Sequence, residues 1–171
     1  EMSETFNDEL NFITILTMVA IFVVVAFTFK SILLPLVLVL IIQTAVWTTM
    51  STISFTGEPI YFISIIIVQS ILMGATIDYA ILYTSYYLEN RRAGKDVKTA
   101  LTNSYNGSFH TILCSASVLV IVTAIVGNLA SAIAAKICVT ISEGTLFSAL
   151  LILIILPALL AGIDKIIVRK K

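Results

Sequence analysis

One carboxylate frames the chemistry this sequence can do. Asp78 lies in Gly74-Ala75-Thr76-Ile77-Asp78-Tyr79-Ala80, inside a long apolar run from about Ile60 to Leu88. It stands eleven residues before Glu89, where the run gives way to polar residues. A helix rises about 1.5 Å per residue, so Asp78 would sit roughly 16 Å deep, near the midplane of a bilayer. A charged aspartate there costs at least about 2.5–3.5 kcal/mol. Loss of water penalises its charged form, which suits it to taking up and releasing protons. Carboxylates at such depth commonly mark ion pathways and proton relays. The plainer reading is a neutral aspartate that only hydrogen-bonds a neighbouring helix.

The residues around Asp78 predict a packed position. Ser70, Gly74, Asp78 and Ser85 fall along one helical stripe, and small residues there would let another helix come close. Tyr79 lies about 100° round the helix from Asp78 and leads a second stripe with Tyr83 and Tyr86. Being deep, Tyr79 needs a partner for its hydroxyl. Tyr86 and Tyr87 fall near the interface, where tyrosines commonly act as anchors. Further along, His110 reads as an interfacial residue rather than a proton carrier. Ser115 and Ser117 lie deeper and are candidates to face Asp78, although serines also pack helices with no further purpose. Glu143, roughly two turns into the last apolar segment, fits either a gate or water-cavity residue or a carboxylate near enough the surface to stay hydrated.

These residues need an apolar scaffold, and the composition supplies one. Hydrophobic residues make up 59% of the 171 residues and charged ones 12%, with a mean hydropathy of +1.08. Soluble domains run nearer about 45–50% apolar and 25% charged, so the chain is suited to a bilayer. The zero formal net charge gives no bulk attraction to nucleic acid. A spanning helix takes about 20 apolar residues. Five segments qualify, at about 11–29, 36–55 (entered through Pro35), 60–88, 109–129 and 137–163 (with Pro157 near its end). The fold class predicted is therefore all-α, an integral membrane bundle occupying 11–171. Gly57-Glu58-Pro59 and the stretch from Asn90 to Asp96 punctuate it. The segment Lys95–Tyr105 carries Val97, Ala100, Leu101 and Tyr105 at helical spacing and reads as a short amphipathic helix on the membrane surface.

The basic residues give an orientation. With five spans, one side receives Lys30, Arg91, Arg92, Lys95, Lys98, Lys165, Arg169, Lys170 and Lys171, and the other receives Lys136. The positive-inside rule makes the first side cytoplasmic, which places the N-terminus outside and the C-terminus inside. Residues 1–10 are acidic and polar, without the basic start of a cleavable signal. An outside N-terminus then predicts a further helix and an external domain upstream. Cys114 and Cys138 form no CxxC or Cys/His cluster, so no metal site is expected, and Cys114 reads as a small packing residue. No Walker sequence, GxSxG, HExxH or phosphate-binding glycine loop occurs, so neither enzymatic activity nor a cofactor is expected. Any transport would draw on another energy source. The membrane potential offers about 2.3 kcal/mol per charge per 100 mV.

Taken in order, several short stretches resemble the MMPL branch of the resistance-nodulation-division superfamily of exporters. The strongest is Gly74-Ala75-Thr76-Ile77-Asp78-Tyr79, continuing to Tyr86-Tyr87-Leu88-Glu89-Asn90-Arg91-Arg92. Phe29-Lys30-Ser31 is similar to the family's turn after its second helix, Cys114-Ser115-Ala116 to a small-residue stretch of its fifth, and Leu156-Pro157-Ala158-Leu159-Leu160 to the close of its sixth. The resemblance covers nearly the whole chain. It implies that the five spans are helices two to six of one half, and that residues 1–10 are the extracytoplasmic tail of a porter domain. It also implies that Asp78 and Tyr79 belong to a proton relay completed by the other half or a second copy of the bundle. Ser117 and Val118 stand where relatives often place a threonine, and Glu143 is not a family hallmark.

The expectation is thus the transmembrane domain of a proton-driven exporter. Its partners would be the lipid bilayer, a lipid or other hydrophobic substrate, and the other bundle, with no nucleic acid. Asp78 and Tyr79 would carry the relay, supported by Gly74, Ser115, Ser117, His110 and Glu143. The alternatives are a lipid- or sterol-sensing module of the same architecture, or a purely structural membrane subunit. Asp78 discriminates between pump and sensor, because a sensor can lose it and still bind lipid whereas a pump cannot lose it and still couple.

Overall fold

The computed structural model describes residues 2–56 and 62–168, and every regular element among them is an α-helix. The order is α1 (Met2–Phe29), α2 (Leu33–Thr56), α3 (Phe62–Arg92), α4 (Val97–Leu129) and α5 (Ala132–Val168). Each contains a stretch long and apolar enough to cross a membrane: Asn11–Phe29, Leu33–Thr52, Ser64–Arg92, Val97–Leu129 and Ile133–Lys165. The chain is a multi-pass helical membrane domain.

Several boundaries differ from the sequence reading, for local reasons. Helix α1 extends back to Met2, so the polar N-terminal segment is a helical continuation of the first span from that residue on. Helix α2 begins at Leu33, two residues before Pro35. Proline is tolerated there because the first turn has no intrahelical use for its missing N–H. The amphipathic segment 95–105 is not a separate surface helix. Asp96 caps α4, its side chain accepting from the Thr99 N–H at 3.3 Å, and the helix then runs unbroken to Leu129. The break at 57–59, like Glu1 and the basic residues 169–171, lies outside the described residues.

Helix α5 is the hub, packed against α2, α3 and α4, while α1 lies outside against α2 and α3. Two buried clusters divide the bundle lengthwise. One joins the end of α1, the start of α2, the end of α3, the start of α4 and the end of α5, through Val25, Leu34, Tyr83, Tyr87, Ala100, Leu156 and Leu160. The other joins Ile42, Val46, Val68, Leu72, Met73 and Ile141 towards the opposite end. Elsewhere the surface is apolar, with Phe12, Ile15, Val19, Val23 and Phe27 on α1 and Leu146, Leu150 and Ile154 on α5 exposed. A surface of this kind is suited to lipid, because in a bilayer only closed backbone hydrogen bonding is required of the lipid-facing elements.

The hydroxyl groups follow the same rule. Thr44, Thr49, Thr76, Ser104, Ser108, Thr123 and Thr145 each donate to the carbonyl four residues earlier in their own helix, at 2.6–3.0 Å. Where no water is available, this back-bonding satisfies the hydroxyl at the cost of a slight bend. Between helices α1 and α2, Lys30 takes a left-handed conformation (φ 52) and its N–H caps Ala26 at 2.9 Å. Between α3 and α4 the same role falls to Gly94 (φ 81), which has no Cβ to oppose it.

Candidate functional site

Asp78 lies midway along the spanning stretch Ser64–Arg92 of α3. Its side chain is exposed, as are Ile67, Ser70, Ile71 and Gly74. These five positions fall within one narrow helical stripe. At Gly74 no described residue covers the stripe: an added Cβ would meet nothing within 4 Å. Ser85, further along the same stripe, is half-buried. Asp78 has no hydrogen-bond or ion-pair partner among the described residues. The small-residue stripe read from the sequence is therefore present, and at Gly74 no described residue packs against it.

Tyr79 turns the other way. It is 4% exposed and belongs to the larger core cluster. Ser115 of α4 lies beside its hydroxyl, and the ring lies within electrostatic reach of Asp78. Ser115 thus comes to the tyrosine rather than to the aspartate. Ser117 is exposed on α4 and stands about 200° round the helix from Ser115, so the two cannot address one point. Cys114 is exposed too.

The remaining candidates are scattered. His110 is exposed in the first half of α4, with its ring edge-on to Phe109 at 6.4 Å, and Phe109 in turn stacks on Tyr105 at 5.1 Å. Glu143 is exposed on α5 among Val139, Leu146 and Phe147. The next residue, Gly144, meets Leu72 of α3, which sets Glu143 roughly 10 Å along the axis from the level of Asp78. The structure brings Asp78, Tyr79, Gly74 and Ser115 together and leaves Ser117, His110 and Glu143 apart. Among the described residues, no group of three or more His, Cys, Asp or Glu could hold a metal ion.

A second polar cluster was not anticipated. Asp164, near the end of α5, is 4% exposed. Its carboxylate accepts two bonds from Arg91 at 2.7 Å, Nε to Oδ1 and Nη2 to Oδ2, and a third from the Tyr87 hydroxyl at 2.6 Å. The remaining guanidinium nitrogen, Nη1, donates to the Lys95 carbonyl at 2.6 Å. This is the forked geometry in which arginine binds carboxylate most strongly. Tyr87 is therefore no interfacial anchor: it is fully buried, and its hydroxyl is committed to Asp164. Beside it, Lys95 Nζ and Asn103 Nδ2 both donate to Asn90 Oδ1 and brace the α3–α4 turn. The available signal was an acid at 164 among basic residues, with Tyr87 and Arg91 one turn apart on a helix ending at the same side.

Five apolar crossings define a polytopic membrane domain. The chain belongs to the MMPL family, whose sequence profile matches residues 1–169, and so to the MMPL branch of the resistance-nodulation-division superfamily. No curated protein and no solved structure matches it.

Proposed function

We propose that this bundle is the transmembrane domain of an exporter of lipids or other hydrophobic molecules, driven by the proton-motive force. Asp78 is its relay carboxylate and Tyr79 the adjoining relay residue. The observation that carries the reading is the position of Asp78, at mid-span on an outward stripe of small residues with no partner among the described residues. A charge facing lipid at that depth is costly, so the stripe calls for a polar counterpart. A second bundle of the same kind, on the same polypeptide or in a second copy, fits the narrow profile at Gly74.

In this scheme the charged Asp78 holds the two bundles in one arrangement through its counterpart. Proton uptake neutralises it and removes that contribution, and the interface repacks. Each proton moved through the potential supplies about 2.3 kcal/mol per 100 mV. Tyr79, beside Ser115, couples the change to α4. The basic end of the bundle faces the cytoplasm. The test is gradient-dependent export by the full-length parent, comparing wild type with Asp78→Asn at matched folded amounts. Loss of export supports the relay. Export at the parental rate would remove Asp78 from the coupling path and leave a lipid-sensing or structural module as the reading.

A further inference from the structure

The Asp164–Arg91–Tyr87 cluster lies far from Asp78 and forms no part of the relay. Arg91 belongs to α3, the helix that carries Asp78, and Asp164 to α5, the hub. A second contact joins the same two helices at the other end. A Cβ on Gly144 of α5 would fall 2.5 Å from Leu72 Cδ1, so α5 and α3 interlock there with no room to spare.

The two contacts are matched in register. Leu72 and Arg91 are 19 residues apart on α3, and Gly144 and Asp164 are 20 apart on α5. At the helical rise both intervals are roughly 28–30 Å. The helices therefore run parallel and are fixed to each other at two levels. Asp78 and Tyr79 lie between these levels. Pro157 lies between them on α5 and removes one backbone donor from that helix.

We infer that Arg91 and Asp164, with Tyr87, are positioning residues that make α3 and α5 one rigid body. A displacement begun at Asp78 then cannot be spent in sliding α3 along α5, and is delivered to α5 and to the helices packed on it. A slip of one turn, about 5.4 Å, would separate the guanidinium from its carboxylate and drive side chains of α5 into Leu72. The inference rests on the transport reading.

The test uses the full-length parent with Cys114→Ala and Cys138→Ala, spin-labelled at the exposed positions Glu89→Cys and Lys165→Cys. Arg91→Met combined with Asp164→Leu replaces the ion pair by apolar groups of similar bulk, an exchange that usually preserves folding. Single variants at either position leave an uncompensated buried charge, so the double variant carries the test. The expected result is a folded protein whose α3–α5 distance distribution broadens and whose gradient-driven export falls by about tenfold or more. Export at the parental rate, or a distribution as narrow as the parent's, overturns the inference. Asp78→Asn measured in parallel separates the two readings. If it still exports, the transport reading fails. If it does not, while the double variant exports normally, only the rigid-body inference fails.

Discussion

Gly144→Ala provides the sharpest test of the packing. The added methyl would lie 2.5 and 2.7 Å from the two terminal carbons of Leu72 and 2.9 Å from Thr49 Cγ2. Carbon atoms prefer about 3.5–4.0 Å, so Leu72 must retreat by roughly 1 Å. It has little room: Leu72 is 1% exposed and packed with Ile42, Val46, Val68, Met73 and Ile141. Thr49 is no freer, because its hydroxyl is bonded to the Ala45 carbonyl at 3.0 Å and turning its methyl away breaks that bond. Overpacking of this kind costs about 1–3 kcal/mol. Against it stands the gain of about 0.8–1.0 kcal/mol from replacing glycine by alanine in a helix. Gly74→Ala carries the same gain with nothing within 4 Å. The difference between the two variants therefore isolates the packing cost, and Gly144→Ala should be the less stable by about 1–3 kcal/mol. Reversible unfolding in mixed micelles, followed by circular dichroism, measures it. Equal stability of the two variants would refute the argument that α5 and α3 are interlocked at this level.

Other outcomes follow from the same geometry. Arg91→Ala should cost the bundle about 3 kcal/mol in the same assay, since Asp164 is left buried and unpaired, and removing Asp164 as well with an apolar replacement should restore most of the loss. Tyr87→Phe removes one bond to a charged group and should cost about 1.5 kcal/mol. Gly74→Leu should leave unfolding of the isolated bundle nearly unchanged while abolishing export by the full-length parent, because its side chain fills the space the second bundle needs; normal export would count against that interface. Asp96 gives a pH dependence. Its bonds to the Thr99 hydroxyl and N–H hold its carboxyl below the ordinary range. A depressed folded-state value means the cap's contribution is complete above the unfolded value of about 3.9 and is lost as pH falls through the lower folded value. Carboxyl titration by NMR should place Asp96 below an unperturbed aspartate, and Thr99→Ala should move it back up.

The parts legible from sequence were those fixed by local pattern. Five apolar runs of sufficient length give five helices because a bilayer admits little else. The Ser70–Gly74–Asp78 stripe follows from spacing alone. Parts that depend on contacts between distant residues were not legible. Arg91 reads as one of several basic residues that set the orientation, and nothing in the sequence singles out Asp164, until the fold sets them 2.7 Å apart across 73 positions. Tyr87 misleads for the same reason, since depth near an interface says nothing of which way a side chain points. The segment 95–105 misleads because an amphipathic pattern identifies a helix but not whether it stops. Whether Ser115 meets Asp78 or Tyr79 depended on how α4 is rotated against α3, which the sequence of neither helix specifies.

The pairing of Arg91 with Asp164 also bears on how the protein is made. A ribosome adds about 5–20 residues per second, so the 73 residues between them take roughly 4–15 s to appear. Helices α1 to α4 can enter the bilayer within that interval as separate units, because their hydroxyls are largely satisfied within each helix and place few demands on neighbours. Arg91 waits at the membrane edge, where its charge stays hydrated. Only when the end of α5 emerges does it acquire its carboxylate, so closure of this one ion pair records that α5 has taken its place beside α3.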